Sequence, residues 1–217
     1  MTTMTTGTKT RFSRTLVGVV ALGAVALSVS ACSSDSKSAK PVADIASLSG
    51  KTTAVKLDTG FTDALTALKL TPGVVGTAQL TDGSLVFPIT GGNVTYYKPG
   101  TVTPYVQGII HHAGSGLSLS AGGTKVELTN FDIDPGISRL YGDVSANGAS
   151  VVKHAFLFNL DGSTLKPLQT EGDTAILEGT KVEMSADAAA LLDKTFNTDA
   201  VKAGLLIGIA KITVNTK

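Results

Sequence analysis

Tryptophan is absent, cysteine occurs once, histidine occurs three times, and aromatic residues make up only 5% of the 217-residue chain. A lone cysteine excludes an internal disulfide and any centre that needs two thiolates, such as a Cys-based zinc or dithiol redox site. Charge is sparse as well. Lysine and arginine number 18 against 17 aspartate and glutamate, a net charge of +1, and no basic stripe interrupts the balance, which argues against nucleic acid as a partner. Also missing is an apolar run of the roughly 20 residues that a bilayer-spanning helix needs. No Gly-x-Ser-x-Gly elbow, phosphate-cradling loop or dinucleotide fingerprint occurs, and Gly114-Ser-Gly116 lacks the strand-to-helix context of a nucleophile elbow. These absences argue against an enzyme.

What is present begins with the leader. Lys9, Arg11 and Arg14, with no acidic residue among them, run into an apolar stretch from Thr15 to Val29 of about fifteen residues. That is the layout of a secretory signal peptide, over residues 1–31, and not part of a fold. It closes on Val29-Ser-Ala-Cys32, which resembles the bacterial lipobox, where a diacylglyceryl group joins the cysteine thiol before cleavage. Lipid on Cys32 accounts for the lone thiol and implies a palmitate-type anchor holding the chain on the outer face of the cell membrane. The Ser/Lys/Asp-rich stretch that follows, residues 32–46 with the cysteine, reads as a flexible tether. Loss of the leader removes three cations and leaves a slight negative balance.

Residues 47–217 read as one domain, most of it at period two. Clear alternations are Thr53–Leu57, Ser84–Ile89, Asn93–Tyr97, Gly116–Ser120, Lys125–Phe131, Ser138–Val144, Ala155–Leu160 and Leu205–Val214. Turn signals fall between them at Thr81-Asp-Gly83, Gly91-Gly-Asn93, Gly122-Gly123, Asp134-Pro-Gly136, Ala146-Asn-Gly148 and Asp161-Gly-Ser163. The spacing predicts an all-β fold, a two-sheet antiparallel β-sandwich. Two segments depart from it. Asp58 or Thr59 can cap a short helix carrying Phe61, Leu65 and Leu68 on one face, ended by Thr71-Pro72-Gly73, and Ser185 can cap Ala186–Thr195 with Asp187 near its positive end.

Few residues offer chemistry. His111 and His112 are neighbours on a strand, so one imidazole points inward and the other outward, and the pair does not close on one metal ion. Asn130-Phe-Asp132-Ile-Asp134-Pro-Gly136 spaces oxygen ligands as a calcium loop does but lacks the closing glutamate, and a strand ending in an Asp-Pro-Gly turn explains it. Tyr96, Tyr97, Tyr105 and Tyr141 matter because a tyrosinate can hold ferric haem. The other reading is strand aromatics filling one face.

Several segments taken in order resemble a known family. Gly108-Ile-Ile-His-His-Ala-Gly-Ser-Gly-Leu-Ser-Leu119, Val126–Phe131, Arg139–Val144, Phe158–Gly162 and Val182–Ala190 are similar to the HtaA-type domain of bacterial surface haem-transport proteins. The resemblance implies a two-sheet β fold that binds haem through a tyrosine near the N-terminal helix, supported by the histidine of a His-x-Gly segment. The matching histidine is His112, or His111 with a shifted alignment. The tyrosine position falls on Ala64, which leaves Tyr96, Tyr97 or Tyr105 to substitute from a neighbouring strand. The expectation is a membrane-anchored, non-enzymatic envelope lipoprotein that binds a ligand or a protein partner, with haem the first ligand to consider. The alternative is a structural or adhesive surface protein without a cofactor.

Overall fold

The structure is a computed structural model and describes residues 39–217. The leader and Cys32 lie outside the described residues. The strands are β1 (Ala43–Ile45), β2 (Thr52–Leu57), β3 (Thr71–Gly76), β4 (Gln79–Thr81), β5 (Ser84–Pro88), β6 (Gly91–Tyr96), β7 (Val106–Ala121), β8 (Thr124–Asp134), β9 (Arg139–Ala146), β10 (Ala149–Asp161), β11 (Gln169–Glu171), β12 (Thr174–Met184) and β13 (Leu206–Asn215). Helix α1 (Thr59–Ala67) follows β2, and α2 (Ala186–Phe196) joins β12 to β13.

The all-β antiparallel class with two short helices stands. The two sheets do not separate, however. Hydrogen bonding follows one path, β1-β6-β7-β8-β9-β10-β12-β13-β2-β5-β4, with β3 on β7 and β11 on β12, and the sheet curls into a half-barrel. Two facing walls therefore belong to one sheet, as the accumulated twist of long strands allows.

Several local expectations change. Gly91-Gly-Asn93 is not a turn but the start of β6, with Gly92 at φ 112°. Thr71-Pro72-Gly73, read as a helix stop, opens β3, which pairs only with β7. Proline is tolerated there because an edge strand needs no second ladder of donors. β12, absent from the alternations above, joins β10 to β13. β1 lies inside the stretch read as tether and pairs with β6 through Ala43 and Tyr96.

Bulges set which side chains face inward. On β8, Val126 and Leu128 are buried, then Phe131 and Ile133, because the register shifts between Thr129 and Asp132 where Asn130 takes φ 54°. One extra residue reverses the phase of everything beyond it. β7 shifts likewise between His112 and Gly116, so Ile110 and His112 face in, followed by Leu117 and Leu119. The core gathers these with Phe61 and Leu65 of α1 and Ala188, Ala189 and Leu192 of α2. Among the described residues its buried members lie between Leu48 and Val214, and Ser38–Lys217 is a compact unit by itself, so this domain carries its own core. No described helix is long and apolar enough to cross a membrane.

Candidate ligand-binding cavity

The inner face of the half-barrel is not completely filled. A cavity of about 190 Å³ lies between the walls. Val94, Tyr96, Ile110, Ile133 and Leu140 line it on one side, and Val55, Leu177, Val182, Ala210 and Ile212 on the other. Ala43, Pro104, Tyr105, Pro135, Leu165 and Leu168 contribute from β1 and the connecting segments. No lining residue carries a charge, and the polar ones are Thr53, Tyr96, Tyr105, Ser138 and Thr180.

The segment bearing Leu165 and Leu168 is pinned to a bulge in β12. The Thr164 hydroxyl donates to the Gly179 carbonyl at 2.7 Å and the Lys166 amide to the Glu178 carbonyl at 2.8 Å. Gly179 has φ 115°, and a Cβ there would collide with the Thr164 carbonyl, so only glycine allows the approach.

Tyr96 and Tyr105 meet edge to face, with ring centroids 5.8 Å apart. Burial, then the neighbouring Tyr96, pushes the Tyr105 phenol above its ordinary value. It stays protonated at neutral pH and offers a hydroxyl donor, not a phenolate. Tyr97 is tied to Tyr105 through its backbone amide at 2.7 Å but does not line the cavity.

The histidines face opposite ways, as strand alternation requires. His112 is 1% exposed and borders a smaller void of about 30 Å³ that shares Thr53, Val55, Ile133, Leu140 and Val182 with the larger cavity. Its Nδ1 lies 3.3 Å from the Phe131 carbonyl and its Nε2 2.8 Å from the Thr53 hydroxyl. A carbonyl only accepts, so Nδ1 carries the proton and Nε2 accepts from Thr53. Burial lowers the His112 pKa to about 4, and the ring is neutral. His111 stands on the outer face with Nδ1 2.6 Å from Asp132 Oδ1. His154 approaches the other oxygen of Asp132 at 3.5 Å and stacks on Tyr141 at 4.6 Å. Arg139 lies over Phe156 at 4.6 Å beside this stack. Asp132 and His154 were not legible as companions of His111, since only the ladder that runs β7-β8-β9-β10 brings the three together.

No protein-family model and no curated protein matches the chain. Among solved structures, the C-terminal domain of HtaA from Corynebacterium glutamicum is similar with a TM-score of 0.53 at 13% identity, covering 79% of this chain and 98% of that one. The chain shares the HtaA-domain fold. The N-terminal domain of the same protein gives a TM-score of 0.46 at 10% identity, over 78% of this chain and 98% of that one.

In this HtaA-type fold the residues suggested for haem do not meet. Tyr96 pairs with Val106, and His112 is six residues further along β7, about 20 Å at strand rise. His112 has both ring nitrogens engaged, His111 is on the opposite face, and Ala64 in α1 offers no ligand atom. The tyrosine–histidine pair implied by the resemblance therefore does not fit the residues present. The chemistry the cavity does offer is hydrocarbon contact with tyrosine hydroxyls among its few polar groups.

Proposed function

We propose that this chain is an exported lipoprotein, acylated on Cys32, whose HtaA-type domain works on the extracytoplasmic face of the membrane as a non-enzymatic binding module for an apolar ligand. The observation that carries the reading is the uncharged cavity held open between two walls of one sheet. Native interiors pack densely, so aliphatic walls left partly uncovered mark a ligand site. The leader and the Val29-Ser-Ala-Cys32 closure support export and anchoring.

The anchoring part is tested by labelling cells with radioactive palmitate. Label on the wild-type chain and none on Cys32→Ser, with the variant released from the membrane fraction, is the expected result. Label retained on Cys32→Ser removes the anchor. The binding part is tested on residues 33–217 with an apolar fluorescent probe, whose emission is expected to rise and saturate at one site per chain. Ferric haem is added in a parallel titration. The separated tyrosines and histidines lead us to expect the spectrum of free haem, whereas a defined Soret band lost in Tyr105→Phe makes haem the ligand. If neither probe nor haem binds, the domain is a structural or adhesive module.

A further inference from the structure

Wall chemistry, the lining of the cavity and the path of the chain together narrow the ligand. We propose that the cavity receives part of one acyl chain of a membrane lipid, drawn from the bilayer to which the protein is anchored, with the head group remaining in water beside Tyr105. This deepens the reading of the chain as a lipid-anchored binding domain and rests on it.

Three observations lead there. First, among the described residues no buried side-chain nitrogen or oxygen lacks a hydrogen-bond partner. The side chains lining the walls carry no charge and only a few hydroxyls among many hydrocarbon groups, so a ligand rich in heteroatoms would bury most of them unpaired. A saturated chain has none to bury.

Second, an apolar cavity of about 150 Å³ is enough for benzene. At about 190 Å³ the half-open space holds a few more carbons than that, a part of one narrow chain, and is too small to hold a porphyrin macrocycle. Tyr105 is only half-buried, so its hydroxyl can meet an ester or head group at the rim.

Third, the chain upstream of the domain passes this cavity. Ala43 and Ile45 of β1 line it, and the Val42 amide donates to the Tyr96 carbonyl at 2.8 Å, where β6 ends and the segment carrying Pro104 and Tyr105 begins. Cys32 precedes Val42 by ten residues. Fully extended, that length reaches at most about 35 Å. Anchoring at Cys32 thus keeps the Tyr96 end of the cavity within reach of the bilayer, where lipid is the most concentrated apolar molecule.

The test incubates residues 33–217 with phosphatidylcholine vesicles doped with pyrene-acyl phosphatidylcholine, floats the vesicles away and counts pyrene lipid left on the protein. One lipid per chain is expected. Ala43→Trp, which fills the cavity from a short edge strand, and Leu168→Lys, which puts a charge on its lining, are each expected to lower the count at least tenfold. Val151→Ser, at an exposed outer position, is expected to leave it unchanged. Thermal melting of each variant separates loss of the cavity from loss of the fold. No lipid on the wild-type protein, or equal lipid on folded Ala43→Trp and Leu168→Lys, overturns the proposal. Where lipid is absent but the apolar probe binds, the binding module survives and only the acyl assignment falls; where neither binds, both fall. The acylated full chain in the same vesicles supplies the remaining arm. If it takes up pyrene lipid only after its own acyl groups are removed, the occupant is its own anchor and transfer from the bilayer is overturned.

Discussion

His112 shows how one buried residue ties stability to pH. Its folded pKa is about 4 against an ordinary 6.5, because burial disfavours the imidazolium. Above pH 6.5 the ring is neutral whether the chain is folded or not, and the full stability is present. As pH falls from 6.5 towards 4, the unfolded chain takes up the proton while the folded one does not, and stability is lost. The shift corresponds to about 3 kcal/mol across that window. Urea midpoints measured at pH 7.5 and 4.5 are expected to differ by much less in His112→Gln than in wild type, and equal slopes would show that His112 is not the group titrating. Its partner is testable at constant pH. Thr53→Val leaves Nε2 buried without a donor and is expected to cost about 1–3 kcal/mol in chemical denaturation, whereas Thr53→Ser keeps the hydroxyl and most of the stability.

Among the elements, α2 depends most visibly on one side chain. Ser185 is fully buried, accepts from the Ala188 amide at 3.0 Å and donates to the Phe156 carbonyl at 2.8 Å. The same hydroxyl caps the helix and ties it to β10. Ser185→Ala is expected to lose about 1–2 kcal/mol by thermal or chemical unfolding, and an unchanged midpoint would mean water replaces both bonds. The cap was readable because a serine before an alanine-rich run, with an acidic residue in the first turn, is a local signal. The bulges at Asn130 and between His112 and Gly116 are local too, but they are defined by the partner strand's count of residues.

For the molecule as a whole, the open cavity is packing left unfilled. Cavity-filling changes commonly add about 0.5–2 kcal/mol. Ala210→Val, on the wall formed by β13, is therefore expected to raise the melting temperature by roughly 2–4 °C, while reducing lipid uptake. A lower melting temperature would mean there is no free volume beside Ala210. Saturating lipid is expected to raise the wild-type melting temperature, since a ligand that binds only the folded state stabilises it by mass action.

Most of the strand alternation and of the tight turns, the Ser185 cap and the opposed faces of His111 and His112 follow from residue type and near neighbours, and these were legible in order along the chain. The leader proposed for residues 1–31 rests on local composition alone. The single curled sheet, β12 in its middle and the pairing of β1 across the expected tether depend on partners tens of residues away, which period and propensity do not encode. The same holds for the site. Tyr96 and Tyr105 were singled out for a metal-bound cofactor, and His112 for its support. Register and curl placed the tyrosines on a hydrocarbon cavity and the histidine about 20 Å along the strand. The Asp132 carboxylate was likewise drawn to His111 and His154 only by the ladder that runs β7-β8-β9-β10. Side-chain direction is a property of two adjacent residues, whereas convergence and enclosed volume belong to the closed surface, and only the tertiary structure decides them.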